Sequence, residues 1–185
     1  YHNGAEGDQS PVPPQGGSHY EQAEFYGRSI AIEALKLYRT IQPTANLKFA
    51  YNYQVITLPS PVAHPMFKAT GGAEYGIDDQ GMKMILQVMC PPKVGIGALR
   101  IGELLIVGAP GELTSVLGLE VKRKLSALGI KYPVIGGIAN EWISYILSEE
   151  QYNKGGYEAS VSFYGPGLGE TIVQGMLDVA MPLLK

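Results

Sequence analysis

"ALRIGELLIVGAPGELTSVLGLEVKRKL", residues 98–125, decides how this chain is read. Its first half holds two apolar runs joined at Gly102-Glu103, a Gly-X pair of the kind that suits a tight hairpin. After Pro110-Gly111-Glu112 the apolar spacing changes. Leu113, Leu117, Val121, Leu125 and Leu128 recur at helical intervals and predict one buried side of a helix. The basic run Lys122 to Lys124 falls toward that helix's C-terminal end, where the helix dipole favours cations.

Downstream, "YPVIGGIA" (132–139) predicts a third buried strand. It empties into a long polar, aromatic and glycine-rich stretch, "NEWISYILSEEQYNKGGYEASVSFYGPGLGE" (140–170). A last helix is predicted from about Glu170, with Ile172, Met176 and Val179 on one face. The repeated order of strand, loop and helix predicts an α/β (layered α+β) fold in which mixed sheets are flanked by helices. Sites in layered α/β proteins collect at strand ends.

Upstream the pattern is looser. Residues 1–17 read as an irregular Gly/Pro-rich loop. Ser18 followed by Glu21 forms a capping box, and Ala23, Tyr26, Ile30, Ala34, Leu37 and Ile41 then predict a buried helical stripe ending by Pro43. "LKFAYNYQVITL" (47–58) alternates, which predicts a half-buried strand with Leu47, Phe49, Tyr51, Tyr53 and Val55 on one face. "PSPVAHP" (59–65) and "GGAEYGIDDQG" (71–81) read as loops, and "MKMILQVM" (82–89) as either strand or helix.

Composition narrows the function. Hydrophobic residues make up 45% and charged residues 17%, a globular balance. A net charge of −3 without any extended Lys/Arg run argues against nucleic acid as a partner. No apolar stretch approaches the ~20 residues that span a bilayer. The single cysteine, Cys90, excludes an internal disulfide and a multi-thiolate zinc site.

Several residues carry candidate chemistry. Glu112, between a strand end and a helix start, suits a metal ligand or general base held by rigid elements. It equally suits a first-turn acid that complements the helix dipole. Tyr145, Tyr152, Tyr157 and Tyr164 crowd into twenty residues. A tyrosine can donate to an oxyanion or, deprotonated, bind a metal, or it can simply pack with its hydroxyl satisfied by backbone. Ser10, in "GDQSP", could orient a reacting group, although Ser-Pro is also an ordinary turn former and no G-x-S-x-G elbow surrounds it. His2, His19 and His64 show no metal-ligand spacing. "GPGLGE" (165–170) lacks the lysine of a P-loop and reads as a glycine-rich helix entry.

Taken together, three blocks resemble the neutral (non-lysosomal) ceramidases. They are the opening "NGAEGDQSP" (3–11), the 98–125 stretch with its strand, Pro-x-Glu and helix, and the Tyr-Ile, Glu-Glu and Tyr-Glu-Ala-Ser…Tyr-Gly-Pro run of 140–170. Residues 43–93 match only poorly. The resemblance implies a zinc-dependent amidohydrolase that cleaves the N-acyl bond of ceramide, giving sphingosine and a fatty acid. It places a glutamate zinc ligand on Glu112, a tyrosine ligand on Tyr145, a carbonyl-contacting tyrosine on Tyr157, and the serine of the opening loop on Ser10. Ser10 or Asp8 would then orient water or the leaving amine.

The resemblance also implies that residues 1–185 form the C-terminal half of a larger catalytic domain, without the immunoglobulin-like domain that follows in many members. The two zinc histidines would come from a second chain or a missing N-terminal segment. The compartment stays open, with secretion or the cell surface implied by the family. Two departures bear on the substrate: Gly156 stands at the family's arginine, and Trp142 at its tyrosine in the Asn-x-Tyr position. A hydrolase of a smaller acyl amide or ester, or a non-catalytic half-domain, is the alternative reading.

Overall fold

The computed structural model describes residues 2–12, 15–45 and 47–184. They fall into two compact units, one built from residues 1–9 and 48–185, the other from residues 10–47. The second unit holds helix α1 (His19–Tyr38), and the capping box is formed as predicted. Ser18 accepts from the Glu21 N–H, while the Glu21 carboxylate accepts from the Ser18 N–H at 2.7 Å. The predicted buried stripe is not realised, because α1 has no buried residue. Ile30, Leu37 and Ile41 are all exposed, since a lone helix has no layer of its own unit to pack against. The irregular reading of residues 1–17 holds where they are described; Tyr1, Pro13 and Pro14 lie outside the described residues.

The first unit is a four-stranded mixed sheet with helices on one face. Its strands are β1 (Phe49–Thr57), β2 (Lys93–Ile101), β3 (Leu104–Gly108) and β5 (Tyr132–Gly136), in the order β1-β2-β3-β5. β1–β2 and β2–β3 are antiparallel, and β3–β5 is parallel. Gly102, with φ +60°, turns the β2–β3 hairpin, as its position in the sequence predicts. A second, two-stranded parallel sheet pairs β4 (Glu112–Leu113) with β6 (Tyr145–Ile146).

Two helices close the packed face of the large sheet: α4 (Ser115–Ala127) and α7 (Leu168–Ala180). Val94, Ile96, Leu105 and Val107 of the sheet join Leu117, Val121 and Leu125 of α4, and Ile172, Met176 and Val179 of α7, in one core. The predicted α4 stripe is buried except for Leu128, which lies past the helix and is exposed, while Leu113 enters the core from β4. The undecided "MKMILQVM" run is helical: α3 (Asp79–Val88) starts where the Asp78 carboxylate accepts from the Gly81 N–H. The presumed loop before it contains a short helix, α2 (Gly71–Tyr75).

Strand β1 is half-buried, as its alternation predicts, and the structure settles which face is outward. Phe49, Tyr51, Tyr53 and Val55 are exposed, and Ala50, Asn52, Gln54 and Ile56 turn toward α7. The two amides make this possible, since Asn52 donates to the Val179 carbonyl and Gln54 to the Gly175 carbonyl, both at 2.9 Å. A buried amide with a partner carries little of the usual penalty for burying a polar group.

Candidate active site

The site grows from the small sheet. Parallel pairing puts Glu112 and Tyr145 in register on adjacent strands, so their side chains project to the same side. The Glu112 N–H donates to the Ser144 carbonyl and the Thr114 N–H to the Ile146 carbonyl, both at 3.0 Å. Burial, followed by the facing Glu112 carboxylate and its charge, pushes the Tyr145 hydroxyl well above the usual phenol range. In the protein alone it is a neutral donor.

From the other side, the Trp142 indole N–H donates to Glu112 Oε1 at 3.0 Å. Tyr157 opens a four-residue helix, α6 (Tyr157–Ser160), and its ring meets that of Tyr145 edge-on, with centroids 6.0 Å apart. Glu112, Trp142, Tyr145 and Tyr157 thus form one cluster. They sit on a cavity of about 520 Å3 whose remaining wall is largely apolar, including Phe67, Ile77, Ile85, Met89 and Phe163.

The loop that delivers Trp142 is strained. Ile138, Asn140 and Ser144 take φ values of +51°, +71° and +72°. A β-branched residue there is an outlier, and such strain persists only where the surroundings over-determine it. Here they do. Glu141 accepts from the Gly95 N–H at 3.1 Å, the Ala139 N–H donates to the Ala109 carbonyl, and the Ile143 N–H donates to the Pro110 carbonyl.

The opening loop is anchored to the same region. The Gly7 N–H donates to the Leu113 carbonyl at 2.9 Å, beside β4. A side chain at Gly7 is impossible, since its Cβ would lie 2.2 Å from the Glu112 carbonyl oxygen. Asp8 then caps α4 from a distance. Its carboxylate accepts from the Ser115 N–H (2.7 Å), the Ser115 hydroxyl (2.9 Å) and the Gln151 amide (3.2 Å), whereas the N-cap residue Thr114 makes no side-chain cap. Burial pushes Asp8 up, but those bonds and one from Gln9 outweigh it and hold the carboxyl below its ordinary range. Asp8 therefore has a structural task at the start of α4. Ser10 is exposed and is the first residue of the other unit.

Sequence reasoning passed over Glu6. Both of its carboxylate oxygens are buried without a hydrogen-bond partner among the described residues. Burial, and after it the Glu112 charge, push its carboxyl up, against the opposing pull of its own backbone amide. Its only signal in the sequence was the extra acid beside Gly7. Other candidates resolve as packing. His64 is buried with both ring nitrogens engaged, by the Tyr152 carbonyl and the Met66 N–H. Tyr152 is buried, and the fully buried Tyr164 donates to the Pro91 carbonyl at 3.0 Å. Burial raises the Cys90 thiol and keeps it inert. No described helix is long and apolar enough to cross a membrane.

Residues 78–174, just over half of the chain, match the family model of neutral/alkaline non-lysosomal ceramidase, N-terminal, and the chain belongs to that family. It is 34% identical over 138 residues to a neutral ceramidase of Pseudomonas aeruginosa, a match covering 65% of this chain and 21% of that protein. To neutral ceramidase 1 of Arabidopsis thaliana it is 35% identical over 86 residues, covering 41% and 11% of the two chains. The α/β fold is similar to the crystal structure of the Pseudomonas aeruginosa neutral ceramidase, with a TM-score of 0.55 at 23% identity over 74% of this chain and 28% of that one. A ceramidase complexed with C2 superposes with a TM-score of 0.51 at 22% identity, covering 75% and 30%. The chain therefore spans less than a third of the relatives it matches.

Proposed function

We propose that this chain supplies part of the active site of a zinc-dependent amidohydrolase that cleaves the N-acyl bond of ceramide or a closely related lipid amide. The observation that carries the reading is the cluster of Glu112, Tyr145 and Tyr157 at a largely apolar cavity of about 520 Å3. Family membership and the ceramidase names of the relatives support it.

Glu112 and Tyr145 suit the metal chemically, as two oxygen donors on rigid strands with Trp142 bracing the carboxylate. Among the described residues no group of three or more His, Cys, Asp or Glu side chains gathers to complete such a site. In this reading the remaining ligands, two histidines by the resemblance, are supplied from outside these 185 residues. Zinc, when bound, lowers the pKa of water and polarises the acyl oxygen. Glu112 and Tyr145 would hold the metal, and the Tyr157 hydroxyl would donate to the oxyanion that develops as the amide is attacked. The apolar wall takes a hydrocarbon chain and excludes water. Ser10 keeps the role of orienting water or the leaving amine as part of the proposal.

The test is zinc content and hydrolysis of a fluorescent long-chain ceramide, measured on the chain assembled with the histidine-bearing part of a ceramidase. Stoichiometric zinc and chelator-sensitive release of fatty acid are expected. An assembled complex that binds no zinc, or holds zinc and leaves the amide intact, overturns the reading.

A further inference from the structure

The uncovered face of the large sheet has no charged residue over most of its extent. On β1 it carries Phe49, Tyr51, Tyr53 and Val55, with exposures of 72%, 58%, 47% and 59%. Their register partners on β2 are Ile101, Leu99, Gly97 and Gly95. Across the hairpin, Leu104 and Ile106 of β3 follow on the same side, and Tyr132, Val134 and Gly136 of β5 continue it. Lys93, at one corner, is the single charge.

An antiparallel sheet that faces water on one side normally alternates apolar-in with polar-out. Here the outward positions are aromatic and aliphatic, and the two amides of β1 point inward. Three aromatic side chains of this size, half to three-quarters exposed, leave roughly 350 Å2 of largely apolar surface before β2, β3 and β5 are counted. That already falls in the range where a patch marks an interaction site.

The relief of the face indicates its occupant. A Cβ on Gly95 would lie 1.9 Å from the Tyr53 hydroxyl, so the Tyr53 ring lies flat over a glycine floor. The floor continues through Gly97, Gly108 and Gly136 and encloses a shallow depression of about 150 Å3 beside Tyr51. The exposed Phe49, Tyr51, Tyr53 and Val55 beside that shallow depression give a relief into which the side chains of a facing sheet, packed about 10 Å away, would interdigitate. A lipid surface would favour a basic fringe, and only Lys93 is present. In the solved relatives the matched segment is under a third of a longer chain.

We propose that this face is a docking surface for a second β-sheet, an uncharged and apolar one contributed by the remainder of a ceramidase-type catalytic domain. The inference rests on family membership and on the face itself, independently of zinc or hydrolysis.

The probe is the part of the Pseudomonas aeruginosa neutral ceramidase that this chain does not match, added to the purified chain. Hydroxyl-radical footprinting of Phe49, Tyr51 and Tyr53 is read together with the affinity of the complex. The expected result is a complex in which these side chains become protected, and whose affinity falls at least tenfold in Tyr51→Glu. Leu119→Glu, on the exposed side of α4, should leave affinity unchanged, and circular dichroism should show both variants folded. Absence of a complex, or a complex that leaves Phe49–Val55 open to labelling, overturns the proposal. So does protection already present in the free chain, which would mean cover by its own residues. Self-association abolished by Tyr51→Glu would assign the face to a second copy and overturn it equally.

Discussion

Glu112 and Trp142 are thirty residues apart in sequence and 3.0 Å apart in space, carboxylate oxygen to indole nitrogen. The bond joins a short strand to a loop held in left-handed conformations at Ile138, Asn140 and Ser144. Removing it by Trp142→Phe should leave the fold intact, because the indole is about half exposed. Partners that orient a ligand typically contribute 10–100-fold to metal affinity. A loss of roughly tenfold in zinc affinity is expected for the assembled enzyme, measured by competition with a chelator. Unchanged affinity would remove Trp142 from any positioning role.

The two tyrosines should separate by readout. Tyr157→Phe is expected to slow turnover by about 10²-fold, as removal of one oxyanion donor does, with zinc content unchanged. Glu112→Ala should lose the metal itself. Parallel loss of zinc in Tyr157→Phe would reverse the assignment of roles.

Asp8 gives a pH-dependent signature. Its carboxyl is held below its ordinary value of 3.8, so its contribution to stability is fully present above that value. It is lost as pH falls through the lowered folded value. Asp8→Asn keeps an acceptor but removes the charge, and should cost roughly 0.3–1 kcal/mol near neutrality, the scale of an anion's interaction with a helix N-terminus. The difference in melting temperature from the parent should begin to shrink below pH 3.8 and vanish once the pH is below the lowered folded value. A difference that persists there would show that the carboxylate charge is not the stabilising element.

Ile138 offers a test of strain. An L-residue in the left-handed region costs roughly 1–2 kcal/mol, and Ile138 is 44% exposed, so it gives up little burial. Ile138→Gly is expected to stay within about 1 kcal/mol of the parent, whereas a large-to-small change at a packed site costs about 2–5 kcal/mol. Chemical denaturation decides between the two.

The apolar cavity should gauge chain length. Ile85→Trp fills part of its wall. In the assembled enzyme it should lower kcat/KM for a long-chain amide by about tenfold relative to a short-chain one, the scale of pocket discrimination by methylene groups. An equal effect on both substrates would place the chain elsewhere.

Much of this architecture is legible in the residues, for identifiable reasons. The α4 and α7 stripes are read correctly because each helix has a single buried side, and Ser18–Glu21 because a capping box is a local motif. For β1 the alternation gives the period and not the side. Aromatic residues outward and amides inward invert the usual rule, and only the acceptors on α7 reveal it. The α1 stripe fails similarly, since periodicity cannot supply a layer to pack on. The resemblance singles out Glu112, Tyr145 and Tyr157, and the structure brings these three side chains together. Trp142 was visible only as a departure from the family pattern. Asp8 and Glu6 needed the loop's path past β4 to show what each faces.

The bond between Trp142 and Glu112 has a practical side. The chain has one tryptophan, and it is this one. Its tryptophan emission therefore comes from the candidate centre alone, so a change in the charge or geometry of Glu112 would register there without an attached dye. The protein carries its own optical probe at the position where a bound ion or lipid would first be felt.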